Sequence, residues 1–251
     1  MWHEERHTRI RDLLRTSGQV SVERIVTELG VSRETIRRDL VELAERGEIR
    51  RVHGGAVLTS DEPPIDVRHA TRVREKRAIA KVVATLVESG QTIFMDAGST
   101  MNVVAEALAT RSGLTIITNA VDVASRFAAR DGNTVHLLGG RFDAQIGCTN
   151  GATTVAEIHR YQAHLAILSP VGVDANAGAS SFELEEVEVA RAMCANARRV
   201  ILAADHSKVG VRSRASWCEP ERIDVLVTDR KSEKSRAFAA VRKAVREVAL
   251  A

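Results

Sequence analysis

The chain shows two patterns of hydrophobic and polar positions, one on each side of about residue 60. Before it, apolar residues recur every three or four positions, which is the period of amphipathic helices. Beyond it, short apolar runs of strand length alternate with amphipathic segments of helix length. Such alternation favours a mostly parallel sheet with helices on both faces. We therefore predict a helical N-terminal region followed by a larger α/β region.

These periods predict the individual elements. In the N-terminal region we expect a helix over residues 4–17, a second between Ser21 and Gly30, and a third beginning at Ser32 and ending before Gly47. In the larger region we expect strands over residues 92–96, 114–118, 134–138, 164–168, 200–204 and 225–227. We expect helices there over residues 72–87, 100–109, 121–130, 152–159, 185–197 and 233–248.

A polar segment with two of the four prolines, Thr59–Pro64, separates the two regions. Proline and small polar residues are typical of linkers. We therefore predict a first domain over residues 1–58, a linker over residues 59–70 and a second domain over residues 71–251.

Composition narrows the class of protein. A hydrophobic content of 44% and a charged content of 27% are ordinary for a globular chain, and no apolar run approaches the roughly 20 residues that span a bilayer. The three cysteines, Cys148, Cys194 and Cys218, are odd in number and far apart, which favours a reducing cytoplasm. They form no Cys-x-x-Cys pair, and His159 and His164 are off the helical repeat. We therefore expect no metal site and no cofactor.

The third helix has the pattern of a DNA-reading helix. Ile36, Leu40 and Leu43 form its apolar stripe, and a short turn after Gly30 joins it to the preceding helix with the spacing of a helix-turn-helix. Arginine near the start of such a helix can grip guanine with two hydrogen bonds or hold a phosphate. A charged helix face is more often only a solvated face, so the context has to support this interpretation.

A hairpin pattern around His53–Gly55 follows the helix and resembles the wing of a winged helix. Residues 1–58 carry 11 arginines and 10 acidic residues, so the prediction depends on where the arginines lie and not on bulk charge. The predicted DNA-binding residues are Ser32, Arg33, Glu34, Thr35, Arg37, Arg38, Arg50, Arg51, His53 and Gly54.

Polar and glycine residues follow five predicted strands, where ligands of parallel sheets bind. The segment Asp96–Thr100 opens directly into a helix, so its glycine, hydroxyls and free backbone N–H groups suit a phosphate. Glycine and serine also occur in any strand-to-helix turn. The predicted effector-binding residues are Asp96, Gly98, Ser99, Thr100, Thr118, Asn119, Gly139, Gly140, Arg141, Gly172, Asp174, Glu183, Asp205 and Lys208.

The segments Thr35–Leu40 and Arg51–Ala56 resemble those of the DeoR family of regulators of sugar metabolism. The likeness continues through Asp96–Thr100, Leu138–Gly140 and Asp205–Lys208 and covers nearly the whole chain. It implies an N-terminal winged helix-turn-helix joined to a larger ribose-5-phosphate-isomerase-like α/β sensor domain. It also implies a repressor whose partners are operator DNA, a phosphorylated sugar and further copies of the chain in a homodimer or higher homo-oligomer. Two segments, 169–172 and 180–183, depart from the family's usual pattern.

Two alternatives to a repressor stay open on the sequence. One is a sugar-phosphate isomerase or hydrolase with an appended DNA-binding module, in which Asp174, Glu183, Glu186 or Asp205 serves as acid or base. No nucleophile motif and no metal-ligand cluster supports it, so we do not expect an enzyme. The other alternative is an activator with the same two domains.

Overall fold

The computed structural model describes residues 2–17, 19–45, 49–52, 54–58, 63 and 65–251. The chain divides into two compact units, Met1–Pro64 and Ile65–Ala251. Within the described residues, no helix combines the length and the apolar character needed to cross a membrane.

The N-terminal unit is a winged helix-turn-helix. Its described elements are helix α1 (His3–Ser17), strand β1 (Gln19–Ser21), helix α2 (Val22–Leu29), helix α3 (Arg33–Glu45) and strands β2 (Ile49–Val52) and β3 (Gly55–Leu58). The strands pair antiparallel in the order β1-β3-β2, so β2 and β3 form the predicted wing. Strand β1 was not predicted, because three residues are too few to show an alternating pattern.

The predicted capping residues start and stop the helices. The Ser21 hydroxyl accepts a hydrogen bond from the backbone N–H of Arg24 at 3.1 Å, and Ser32 does the same for Thr35 at 3.1 Å. Gly30 ends α2 in the left-handed conformation at φ 64°, which a glycine adopts without strain. Gly47, predicted to follow α3, lies outside the described residues.

The apolar stripes of the three helices meet in one core. The side chains buried there include Ile10, Leu14, Ile25, Ile36, Leu40 and Leu43. Burying a side chain of this size contributes about 1.5–3 kcal/mol. The predicted stripe of α3 is therefore confirmed, and it fixes the face that α3 turns outward.

The second unit contains a seven-stranded parallel sheet, in the order β15-β14-β12-β9-β4-β5-β6. Its strands are β4 (Thr92–Met95), β5 (Thr115–Thr118), β6 (Thr134–Leu137), β9 (Ala163–Leu168), β12 (Ala197–Ala203), β14 (Val225–Thr228) and β15 (Val248–Leu250). Small antiparallel pairings involve β7 (Arg141–Asp143) with β8 (Cys148–Asn150), and β11 (Gly178–Ser181) with β10 (Gly172–Asp174) and β13 (Ala215–Cys218).

Helices cover both faces of this sheet. They are α4 (Ile65–Ala70), α5 (Val73–Thr85), α6 (Ser99–Leu108), α7 (Val121–Ala128), α8 (Ala152–Ile158), α9 (Leu184–Ala195) and α10 (Phe238–Ala244). Successive strand residues alternate between the two faces: Ile93 packs with α5, α6 and α7, whereas Phe94 packs with α8, α9 and α10. The predicted α/β architecture with a mostly parallel sheet is confirmed.

The direction of strand addition reverses between β4 and β9. From β4 the chain adds β5 and β6 on one side, and from β9 it adds β12, β14 and β15 on the other. The two strands are neighbours, with Phe94 opposite Ala166. A reversal of this kind opens a crevice at the carboxyl ends of the two strands, where α/β sheets bind ligands.

Two predicted segments differ from the structure. Helix α4 lies inside the predicted linker at 59–70. The predicted helix over residues 233–248 is wrong, because a 3-10 turn (Arg230–Lys234) precedes the short α10, and β15 then pairs with β14. The apolar residues Val248–Leu250 complete the sheet edge, where Ala251 N–H donates to the Thr228 carbonyl at 2.9 Å.

Candidate functional site

The outward face of α3 and the wing bring four predicted residues to one groove. The groove has a volume of about 470 Å³. Its lining includes Arg33, Arg37, Arg51 and Gly54. Two cationic side chains of the helix therefore face one from the wing across a concave surface within the N-terminal unit.

The arginines of this surface differ in their partners. Arg33 forms an ion pair with Glu23. Arg38 Nε lies 3.8 Å from Glu34 Oε1, and both of these side chains are well exposed. Exposed ion pairs of this kind contribute little to stability. The exposed side chains of Arg37, Arg50 and Arg51 form no hydrogen bond or ion pair with another described residue. These three guanidiniums are thus available to an external anion.

The other predicted DNA-binding residues have local structural tasks or lie outside the described part. The hydroxyls of Ser32 and Thr35 are 2.8 Å apart at the start of α3, where Ser32 caps the helix by accepting from the Thr35 N–H. Gly54 is at φ 78° in the wing turn, a conformation that favours glycine. His53, also predicted, is outside the described residues.

A buried ion pair fixes α3 from the opposite side. Arg6 on α1 donates to both carboxylate oxygens of Asp39 on α3, at 2.8 and 2.9 Å. Burial raises the pKa of Asp39, but the hydrogen bonds and charge of Arg6 outweigh burial and hold this pKa below its ordinary value. The sequence analysis did not identify Asp39 as a buried residue. Its position beside the apolar stripe of α3 is the signal that it would be buried and would need a charged partner.

In the second unit, three strand ends meet where the strand order reverses. Asp96 follows β4, Ser169 follows β9 and Asp205 follows β12. The backbone N–H of Ser169 donates to both carboxylate oxygens of Asp96, at 3.3 and 3.2 Å. The ammonium group of Lys208 donates to the Ser169 hydroxyl at 3.1 Å and to the Pro170 carbonyl at 2.6 Å. The structure therefore brings Asp96, Asp205 and Lys208 together at the crevice.

The start of helix α6 completes this cluster. Gly98 is its N-cap at φ 131°, and a Cβ added to Gly98 would meet open space. Ser99 and Thr100 are buried in the first turn of the helix. Backbone N–H groups in such a turn have no helical acceptor and are suited to an anion.

Sequence reasoning missed a cation that contacts this turn. The buried ammonium group of Lys76, on α5, donates to the Ser99 hydroxyl at 2.9 Å and to the Arg68 carbonyl. Burial and the neighbouring charge of Lys208 lower the pKa of Lys76 to about 8. A lysine among the buried positions Ile79, Ala80 and Val83 of one helix is the sequence signal that could have identified it.

The pKa values of the two carboxyl groups of the cluster are shifted in opposite directions. Burial raises the pKa of Asp96 well above its ordinary value, which favours the neutral acid. Burial acts the same way on Asp205, but hydrogen bonds from Ser207 and the charges of Lys208 and Arg72 leave its pKa below the ordinary value. Burial thus shifts Asp96 toward the neutral acid, while Asp205 is an anion that balances the lysines.

At the end of β5, Thr118 and Asn119 are both buried. The Thr118 hydroxyl accepts a hydrogen bond from the Ala120 N–H at 3.0 Å, and the Asn119 amide donates to the Thr149 carbonyl at 2.8 Å. The side-chain oxygen of Asn119 is buried without a hydrogen-bond partner among the described residues. Because buried polar atoms are rarely left unsatisfied, this oxygen is a candidate acceptor for a ligand.

Three predicted effector residues make local contacts at the end of β6, the strand at the sheet edge. The Gly139 N–H donates to Glu157 at 2.7 Å, and a Cβ added to Gly140 would lie 2.1 Å from the Thr154 hydroxyl. Arg141 forms an exposed ion pair with Glu185. These contacts give the three residues local structural roles, and their part in effector binding stays a prediction.

The remaining three predicted residues also have local tasks. A Cβ on Gly172 would lie 2.3 Å from the Val211 carbonyl oxygen, so glycine allows a close approach of two chain segments. The Asp174 carboxylate accepts hydrogen bonds from the N–H groups of Asn176 and Ala177, which lower its pKa and shape the turn after β10. Glu183 is exposed before α9.

Known proteins resemble this chain over most of its length. Residues 71–230 match the DeoR C terminal sensor domain, and residues 6–62 match the DeoR-like helix-turn-helix domain. The glycerol-3-phosphate regulon repressor of Escherichia coli (strain K12) is 37% identical over 231 residues, covering 91% of this chain and 92% of that protein. The HTH-type transcriptional repressor GlcR of Bacillus subtilis (strain 168) is 34% identical over 233 residues, covering 92% and 90%.

Solved structures give weaker likenesses. Ribose 5 phosphate isomerase A from Neisseria gonorrhoeae is 18% identical with a TM-score of 0.40, covering 55% of this chain and 53% of that one. A TM-score of this size carries no inference about function. The N-terminal winged helix corresponds to the helix-turn-helix match, and the α/β unit corresponds to the sensor-domain match. The chain belongs to the DeoR family, as its sequence and both domain matches show.

Proposed function

We propose that this protein is a DNA-binding repressor of carbohydrate-metabolism genes that a small phosphorylated metabolite releases from its operator. The observation that carries the proposal is the pairing of two site chemistries on one chain. One is the groove of Arg33, Arg37 and Arg51, and the other is the α6 start beside Lys76. The names of the relatives, which are repressors, support this direction of regulation.

The helix α3 enters the major groove and the wing holds the backbone beside it. Arg37 and Arg38 are near the start of α3, where a recognition helix contacts base edges, and Arg50 and Arg51 reach phosphates from the wing. Two copies in a symmetric homo-oligomer read two half-sites about 34 Å apart, one turn of DNA.

The metabolite binds at the crevice between β4 and β9. Its phosphate accepts hydrogen bonds from the first N–H groups of α6, with Ser99, Lys76 and Lys208 beside it. Its hydroxyls pair with Asp96 and with the free side-chain oxygen of Asn119. Effector binding then lowers operator affinity through a coupling of about 1–3 kcal/mol, or about 5–150-fold, which suffices for a switch.

A titration with labelled DNA tests the proposal. The full-length protein is added to duplex from upstream of its own operon and to a shuffled duplex, at physiological salt. We expect tighter binding to the operon duplex and release by at least one phosphorylated sugar that also raises the melting temperature. Equal affinity for both duplexes contradicts the proposal that the protein is an operator-specific repressor. Turnover of the sugar phosphate by the purified protein supports the enzyme alternative instead.

A transcription assay fixes the sign of regulation. With the operator placed at its native distance from a promoter, adding the protein lowers transcript and adding the metabolite restores it. A rise in transcript on adding the protein contradicts repression and supports an activator.

A further inference from the structure

Two histidines of α1 and two acidic residues of α3 converge on one point of the N-terminal unit. His3 and His7 are one helical turn apart, with ring centroids separated by 4.1 Å. His3 Nε2 lies 2.9 Å from Glu42 Oε2. A ligand atom from each of His3, His7 and Glu42 falls within 4.8 Å of the others.

Asp39 lies beside this group and brings an oxygen close to both imidazoles. Its Oδ1 is 3.7 Å from His3 Nε2 and 3.4 Å from His7 Nε2. Zinc bonds of about 2.0–2.1 Å in a tetrahedral arrangement hold two ligand atoms about 3.3–3.5 Å apart. The imidazole nitrogens lie near this separation from the Asp39 oxygen, whereas His3 Nε2 and Glu42 Oε2, at 2.9 Å, must move apart by about 0.5 Å to share an ion.

We propose that His3, His7, Asp39 and Glu42 form a binding site for a divalent transition-metal ion of the zinc class. Two imidazoles with two carboxylates suit such an ion, whereas magnesium prefers an all-oxygen shell. His7 and Asp39 are fully buried, while His3 and Glu42 are each 45% exposed and give an ion its route in. The two carboxylates outweigh the single guanidinium of Arg6, which holds Asp39 from behind.

The ion joins the first turn of α1 to the inner side of α3, opposite the arginine groove. It does not touch DNA in this arrangement. Its effect is to hold α3 against α1, so metal binding raises the stability of the N-terminal unit by mass action. Because imidazole must be unprotonated to bind a metal, the site loses affinity in acid.

Calorimetric titration of the full-length protein, freed of any histidine tag, tests the site. We expect one zinc ion to bind per chain near neutral pH, and magnesium to give no such binding. His3→Gln and Glu42→Gln are expected to weaken zinc binding by at least about tenfold. Their matched controls, His136→Gln in the second unit and Glu45→Gln on the outer end of α3, are expected to bind as the wild type does.

Both tested side chains are partly exposed, so these variants keep the fold, which circular dichroism verifies. His7→Gln is a further variant, but its buried position makes His3→Gln the decisive one. Absence of zinc binding by the wild type overturns the proposal. So does equal zinc affinity in His3→Gln, Glu42→Gln and the wild type. Cobalt bound in place of zinc is expected to lack sulfur charge-transfer absorption; such absorption assigns the ion to Cys148, Cys194 or Cys218 and overturns the proposal.

Discussion

Arg6 and Asp39 form a two-point ion pair, with both guanidinium contacts to the carboxylate shorter than 3 Å and the Asp39 side chain only 2% exposed. The pair joins α1 to α3 on the side away from the arginine groove. Since α3 carries the predicted DNA-reading residues, its orientation depends on this contact as well as on the apolar core. Arg6 is the partner of Asp39 that forms two hydrogen bonds, while His3 and His7 lie farther from the carboxylate, at 3.7 and 3.4 Å.

Arg6→Ala is expected to destabilise the N-terminal unit by about 3–5 kcal/mol, because it leaves a buried carboxylate without its charge partner. Chemical denaturation followed by circular dichroism measures the change. Arg9→Ala is the matched control, because Arg9 is an exposed residue of the same helix. A loss below about 1 kcal/mol, as is typical of surface pairs, would show that the pair is solvated.

Acid is expected to weaken the same unit through Asp39. Its pKa is lower in the folded protein than the ordinary value of 3.8, so the unfolded chain takes up the proton first as pH falls. The stabilisation is therefore complete above about pH 5 and is lost as pH falls through the lower, folded value. His3 Nε2 and His7 Nε2 lie 3.7 and 3.4 Å from the same carboxylate. Comparing wild type with Asp39→Asn between pH 7 and pH 3 isolates the contribution of Asp39. The two stability curves are expected to converge in acid, and parallel curves would contradict this.

DNA affinity is expected to fall in two distinguishable ways. Arg37→Ala should cost about 1–3 kcal/mol of operator binding and little of non-specific binding if the residue reads a base. Arg51→Ala should weaken binding to all duplexes and reduce the salt slope by about one unit, as expected for a phosphate contact. Anisotropy titrations at several salt concentrations measure both. Arg9→Ala is again the control, and operator affinity unchanged in both variants would mean that another face of the unit binds DNA.

Much of this architecture follows from the sequence. The stripe of Ile36, Leu40 and Leu43 identifies α3, and the near-continuous apolar runs identify the central strands, because both signals come from burial alone. The strands β7, β8, β10, β11 and β13 were missed, because their short sequences contain no continuous apolar run like those of the central strands. The order of strands was also beyond prediction, although it decides which strand ends meet.

The same limit explains the candidate effector site. Asp96, Ser99 and Lys208 were predicted because residues at helix starts and strand ends suit an anion, and the local sequence alone identifies such positions. Gly139 and Gly140 share that local chemistry at the end of β6, the edge strand next to β5, and their role stays a prediction. Lys76 was missed because its role depends on a contact with Ser99, 23 positions further along the chain. The local sequence thus identifies candidate residues, whereas contacts between residues distant in the chain become visible only in the structure.

Gly98→Val is expected to abolish release from the operator by the effector and to leave DNA binding intact. The positive φ of 131° strains any side chain, and the added atoms would stand in the open space at the start of α6. Gly90→Val is the matched control, because Gly90 also has a positive φ and open space around it but lies before β4. Operator release is followed by anisotropy while the sugar phosphate is titrated. Normal release in Gly98→Val with loss in Gly90→Val would place the effector elsewhere.

Effector affinity is expected to fall above about pH 8, where Lys76 loses its proton in the effector-free protein. A bound phosphate favours the charged ammonium group, so binding at higher pH requires proton uptake and affinity drops by up to about tenfold per pH unit. Below that pH Lys76 is already charged, and its contribution is constant. Lys76→Met keeps the length of the side chain without the charge, and its affinity should be lower at pH 7 and nearly independent of pH between 7.5 and 9.5. Calorimetry in buffers of different ionisation enthalpy counts the protons taken up. Equal proton uptake by the wild type and Lys76→Met would assign the titration to another group.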